Sequence, residues 1–412
     1  MNPNRKNKSL LLQDKPACNP GLWLLDPKIT FLNHGSFGAC PRTVLKFQQK
    51  LRDRLERQPL TFFVRDFEPL LDKARSELAR FVRADANDLV FVSNATTGVN
   101  TVLRSLRFQH GDELLVTDHE YNACRNALNF VAESSGVRVV VAEIPFPLKS
   151  ADEIIDAILQ RVTSRTRLAL VDHVTSPTGL IVPVERLVRE LSGRGIETLI
   201  DGAHAPGMLP INLKKLGATY YTGNCHKWLC APKGAAFLYV QRDRQKLIRP
   251  LVISHGANSP RTDRSRFLIE FGWTGTFDPT AYLSVPAAIK RVGSLLPGGW
   301  PEVMRRNHAL AVAARRIICD TLGIEPPCPD DLIGSLAAVP LPDAPQNRPP
   351  KSPLYLDPVQ DKLLRDYKIE VPIIPWPAWP KRVVRISAQL YNSLPQYERL
   401  AHALKEILPT KE

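Results

Sequence analysis

The chain has 412 residues, 44% of them hydrophobic, and no run approaching the ~18 apolar residues of a membrane span, so it reads as globular with ample material for a core. Its formal charge of +14 raises nucleic acid as a partner, but no run of five or more like charges occurs. Seven cysteines without CxxC or HExxH spacing argue against a disulfide framework or a zinc site and fit a reducing cytoplasm.

Residues 1–45 read as a turn-rich arm; its one early apolar stretch, Ser9 to Leu12, is too short for the core of a signal peptide. Helical periodicity runs from Thr43 to about Arg83, broken near Gln58-Pro59. Short apolar strands then alternate with amphipathic helices: Leu89–Val92, Glu113–Thr117, Val137–Glu143, Leu168–His173, Glu197–Asp201, Ala218–Thr222 and Ala235–Val240. That alternation predicts an α/β fold with a mostly parallel sheet covered on both faces. A helix is expected over Thr280–Lys290, a long one over Pro301–Leu322, and a proline-rich loop over Pro340–Pro353. Val383–Ser387 reads as a strand and Gln396–Ile407 as a closing helix. The expected division is an arm (1–45), a large domain (46–285) and a smaller C-terminal α/β domain with its linking helix (286–412).

Three features fall where this reading puts strand ends, the place where ligands gather in open α/β sheets. Asp201 closes Thr198-Leu199-Ile200; Lys227 follows a strand in Thr222-Gly223-Asn224-Cys225-His226-Lys227; Asn94-Ala95-Thr96-Thr97-Gly98 opens a helix. A helix N-terminus with free N–H groups and hydroxyls binds phosphate. A buried carboxylate pairs with a protonated pyridine nitrogen, and a lysine in surroundings that favour its neutral amine forms a Schiff base. Pyridoxal 5'-phosphate (PLP) chemistry uses all three. Taken singly, each has a plain structural explanation: a solubilising lysine, a capping aspartate, an N-cap threonine.

The segments FLNHGSFGACP, SNATTGVN, DHEYNACRNA, HVTSPTG, DGAHAPG, YYTGNCHKWLCAPKG, GWTGTFDPTAYLSVPAAI and VRISAQLYN, in this order, resemble the class V aminotransferase family of fold-type I PLP enzymes, in its isopenicillin N epimerase-like branch. The resemblance implies that Lys227 carries the cofactor and moves the Cα proton, and that Asp201 keeps the ring nitrogen protonated. It places His204 at the ring's phenolic oxygen and Tyr121 on the ring face. Ala95, Thr96, Thr97, Ser176, His226 and Thr222 or Asn224 would hold the cofactor, with Gly275 and Thr276 reaching the phosphate of a neighbouring subunit in a homodimer. Arg385 would grip the substrate α-carboxylate in a two-pronged contact. Asn33 and His34 either line the substrate entrance or fix the arm.

The resemblance implies chemistry at the α-carbon of an amino-acid-type substrate. Epimerisation is the leading expectation, with C–S lysis of cysteine conjugates or transamination as alternatives. Persulfide-forming desulfuration is disfavoured because no cysteine follows Cys328 near the Arg385 strand. A basic nucleic-acid-binding protein on the same fold is the non-enzyme alternative, opposed by the intact Lys227 and Asp201.

Overall fold

The structure is a computed structural model that describes residues 14–345 and 357–408. Residues 1–13, which include the apolar stretch at Ser9, and most of the proline-rich stretch expected from Pro340 to Pro353 lie outside the described residues.

The central sheet has seven strands: β2 (Leu89–Val92), β3 (Glu113–Thr117), β4 (Arg138–Ala142), β5 (Thr166–Asp172), β6 (Glu197–Asp201), β7 (Tyr220–Asn224) and β8 (Ala236–Val240). Their spatial order is β2-β8-β7-β6-β5-β3-β4, with β8 alone antiparallel to its neighbours. Strands of such a sheet are covered on both faces, which is why β3, β7 and β8 are buried at every position. Alternate residues feed two cores. Leu115, Val171, Ile200 and Phe237 pack on one side, and Leu114, Leu170, Leu199 and Leu238 on the other.

The predicted strands lie within two residues of those observed. The largest shift is at β7, which starts and ends two residues later than expected and so carries Asn224 to its carboxyl end. The helical stretch breaks at Gln58, whose φ of −149° and ψ of 76° interrupt the coil before Pro59. A π-turn at Phe62–Asp66 precedes the continuation at Phe67–Phe81. Pro340 is a correction. It belongs to β9 (Leu336–Leu341), not to a loop. β9 is an outer strand paired only with β12 (Arg382–Ser387), so it tolerates a residue without an N–H.

β9 and β12, with β11 (Ile373–Pro375), form a three-stranded antiparallel sheet against the long helix Gly299–Leu322 and the closing helix Leu394–Ile407. The N-terminal segment is stitched to this part of the chain. β1 (Thr30–Phe31) pairs in parallel with β10 (Ile369–Glu370), and Ser387 N–H donates to the Leu32 carbonyl. Those bonds deliver residues 33–38 to the carboxyl edge of the central sheet. Gly38, at φ 72°, lies so close that a Cβ would sit 2.1 Å from the His226 carbonyl.

Candidate active site

The carboxyl ends of β5, β6 and β7 open into a cavity of about 500 Å³. Asp172, Asp201 and Asn224 line it from those strand ends, and Lys227, His226 and His204 from the loops beyond. The N-terminus of helix Ala95–Ser105 closes one end, and Ser36, Phe37, Tyr121, Ser176 and Leu251 lie around the rest.

Lys227 Nζ lies 2.9 Å from His204 Nε2. Burial, then the nearby Arg385 guanidinium, bring the Lys227 ammonium down from its usual range to about 8. The His204 imidazole is buried, and its proton affinity is pushed well down by that burial and by Lys227. Trp228 Nε1–H donates to His204 Nδ1. An indole is only a donor, so in the neutral imidazole Nε2 carries the proton and faces Lys227 Nζ.

Asp201 is buried, with Oδ1 accepting from the Ala203 N–H at 2.8 Å and Oδ2 from the Cys124 thiol at 3.2 Å. Burial raises its carboxyl above the ordinary range. A buried carboxylate facing the cavity is suited to a protonated ring nitrogen.

At the helix end, the Asn94 side chain caps the Thr97 N–H at 2.8 Å. Asn224 Oδ1 takes the Ala95 N–H at 2.9 Å, which turns the Asn224 amide group toward the cavity. His226 bonds the Ala235 carbonyl through Nδ1 and is held neutral, lowered to about 4 mainly by burial. The helix approaches β7 so closely that a Cβ on Gly98 would meet Thr222 Oγ1 at 2.2 Å. Helix N-terminus, asparagine amide and hydroxyls together make an anion cradle.

Arg385, on β12, is buried. It donates to the Ser176 carbonyl at 2.5 Å and to Ser36 Oγ at 2.8 Å, and its Nε has no hydrogen-bond partner. Among the described residues no carboxylate lies within ion-pair distance of it. Burial lowers its guanidinium to about 10.

Most of the residues singled out in the sequence therefore converge on one cavity: Lys227, Asp201, His204, His226, Asn224, Ala95, Thr96, Thr97, Ser176 and Tyr121 all line it. Others sit elsewhere. The Thr222 hydroxyl donates to the Phe237 carbonyl at 2.9 Å, and the residue lies beneath Gly98 rather than on the cavity wall. Its place is taken by Asn224, two residues on, on the same face of β7. His34 does not line the cavity either. Its ring is buried between Tyr391 Oη at 2.8 Å and the Lys227 carbonyl at 3.1 Å, so it braces the backbone of the lysine loop. Asn33 accepts from Ser36 Oγ at 2.5 Å and so orients the serine that holds Arg385. Gly275 and Thr276 lie outside this cavity.

Sequence reasoning missed Asp172, Ser36, Phe37 and Leu251. Asp172 carried the same signal as Asp201, since each ends an apolar strand and the two are register partners on β5 and β6. Ser36 and Phe37 lay inside the quoted FLNHGSFGACP segment but were passed over for Asn33 and His34.

The Aminotransferase class-V family model matches residues 43–272. The chain is 36% identical over 397 residues to the isopenicillin N epimerase of Amycolatopsis lactamdurans, covering 93% of this chain and 96% of that protein. It is 30% identical over 414 residues to the L-cysteine desulfhydrase of Arabidopsis thaliana, covering 92% and 87%. Among solved structures, the cystine C–S lyase C-DES with cysteine persulfide superposes with a TM-score of 0.76 at 21% identity, over 93% of this chain and 99% of that one. Its fold is that of a fold-type I enzyme. A strand-end carboxylate, a lysine of lowered proton affinity and an anion cradle around one cavity fit pyridoxal phosphate, and the chain belongs to the class-V aminotransferase family of PLP-dependent enzymes.

Proposed function

We propose that this enzyme acts at the α-carbon of an amino-acid-type substrate, taking its proton with Lys227 from one face and returning one to the opposite face of the same carbon, an epimerisation. The observation that carries the substrate class is Arg385, a buried guanidinium with an unpartnered Nε and no carboxylate among the described residues. A buried cation of this kind is completed by an anion, and a carboxylate matches its planar fork.

In this reading PLP, when bound, supplies the electron sink that makes the α-proton acidic. Lys227 holds the cofactor and, freed by substrate, becomes the amine that removes the proton. Burial and Arg385 favour the neutral amine, and His204 would face the cofactor's phenolic oxygen. Asp201 holds the ring nitrogen protonated, and Tyr121 covers the ring face from the cavity mouth. Thr96, Thr97, Asn224 and His226 bind the phosphate. Gly275 and Thr276, outside their own cavity, complete that of a second copy. Residues 46–285 thus supply most of the site, 286–412 the carboxylate grip and 1–45 the Ser36 contact.

C–S lysis is the second reading. It needs a single base on one face of the substrate, which Lys227 supplies, and among the described residues no cysteine lines the cavity to retain sulfur as a persulfide. The Arabidopsis relative is named as a desulfhydrase. Proton NMR in deuterium oxide separates the two, using L-amino acids, cysteine conjugates and an aminoadipyl-containing peptide. Exchange of the α-proton with an intact carbon skeleton and a change of chirality supports epimerisation. A keto acid with released thiol replaces it with lysis. Borohydride reduction followed by peptide mapping tests the anchor: the pyridoxyl group should appear on Lys227 and on no other lysine. Light scattering of the loaded protein tests the second copy, and a monomer that retains cofactor would remove it.

A further inference from the structure

Behind Asp201 lies a carboxyl group that the chemistry described so far does not use. Glu120 lies two residues before the helix Asn122–Ser135, and its side chain is buried. Only 8% of the residue is exposed, and neither carboxyl oxygen meets a hydrogen-bond partner. Ligating atoms of Glu120, Cys124 and Asp201 all lie within 4.8 Å of one another. The Cys124 thiol, one helical turn from Glu120, donates to Asp201.

Two carboxylates sharing one buried space do not both ionise, and the proton goes to the one with fewer donors and cations around it. Asp201 has two donors, the Ala203 N–H and the Cys124 thiol, and faces the Lys227 amine. The groups around Glu120 are Asp201 from β6, Asp172 from β5, and Cys124 and Arg125 from the helix that follows it. Burial, then the Asp201 carboxylate, push the Glu120 carboxyl well above its ordinary range, outweighing the Arg125 guanidinium. Asp172 Oδ2 is likewise buried without a partner, so a further negative charge there would be uncompensated as well.

We propose that Glu120 is a positioning residue that remains a neutral carboxylic acid, leaving Asp201 to carry the ionised charge that faces the cavity, with the Cys124 thiol donating to Asp201. This deepens the reading of Asp201 as the partner of the ring nitrogen and rests on it. Were Glu120 charged, its field would draw the available proton onto Asp201, and the ring nitrogen would lose its anionic partner.

The test is difference infrared spectroscopy of the full chain near neutral pH, with cofactor bound and after its removal. The carbonyl stretch of neutral carboxylic acid should be present in both forms and lose the Glu120 component in Glu120→Gln, leaving only that of Asp172. Absence of that band, or its full loss in Asp172→Asn with no change in Glu120→Gln, overturns the proposal. Cofactor affinity gives a second readout. Because the amide replaces a neutral group of the same shape, Glu120→Gln should change the PLP Kd by less than about threefold, whereas loss of a working negative charge would weaken binding by about tenfold or more. If Glu120→Gln fails to fold, Cys124→Ala and Cys124→Ser carry the question. Removing the thiol donor should raise the Kd several-fold and the hydroxyl should restore it; equal Kd values overturn the proposal that the thiol helps Asp201 hold its charge. Asp201→Asn separates the two levels, because undiminished PLP affinity there would sink the ring-nitrogen reading while leaving the infrared result on Glu120 standing.

Discussion

Strand β12 carries two buried arginines, three residues apart, and they are finished differently. Arg382 donates to both oxygens of the buried Asp357 at 2.9 Å and through Nε to the Pro342 carbonyl. Asp357 in turn caps the helix Pro358–Tyr367 through the Val359 N–H. Every part of that arrangement is satisfied inside the fold. Arg385 holds one carbonyl and the hydroxyls of Ser36 and Ser176, keeps an orphaned Nε, and touches the cavity lining through those two serines. One cation belongs to stability and the other waits for an anion. Burial alone does not separate them; the state of their hydrogen bonds does.

Substitutions can break that contrast. Arg382→Ala leaves Asp357 buried without its counter-charge and should destabilise the fold by about 3–5 kcal/mol, read as a lower urea midpoint. The kcat/KM of the molecules that remain folded should stay within a few-fold. Arg385→Ala should do the reverse: kcat/KM falls by on the order of 10²–10³ through lost carboxylate capture, with an unchanged or raised urea midpoint. Arg385→Lys should recover only part of that loss, since an ammonium does not reproduce the planar fork. If the two alanine variants lose stability equally, the distinction between them fails.

A smaller effect sharpens the same contrast through pH. Lys227 attaches to an aldehyde only as the neutral amine, so attachment should slow about tenfold for each pH unit below about 8, where its ammonium titrates. Arg385 is one cause of that lowered value. Removing its positive charge makes the ammonium easier to keep, so the midpoint of attachment in Arg385→Ala should move upward. In Arg382→Ala it should not. Stopped-flow absorbance of cofactor binding across pH 6–10 reads both midpoints, and a shift in the Arg382 variant would contradict the assignment.

Much of the site was legible because its parts sit at strand ends of an alternating α/β pattern. Asp201, Lys227 and the Asn94–Gly98 turn each follow an apolar run, and the sheet delivers such positions to one edge. Thr222 went astray because period-two alternation gives the face of a strand but not the depth along it, and Asn224 shares that face nearer the edge. Ser36 was hidden because its role comes from β1–β10 pairing, a contact between distant parts of the chain that no local pattern encodes. Glu120 lies in the DHEYNACRNA segment with nothing in the local pattern to single it out, and only the packed structure shows it enclosed.

The β1–β10 pairing also sets when the site can exist. During synthesis from the N-terminus, the turn that carries Ser36 emerges early, long before the ribosome has made Ile369. Until that strand and β12 arrive, His34 lacks Tyr391 and Ser36 lacks Arg385, so the lysine loop is braced from one side only. The large sheet can be in place beforehand. Substrate capture therefore falls among the last properties a nascent chain acquires, and a polypeptide stalled before β12 would hold the cradle without the grip.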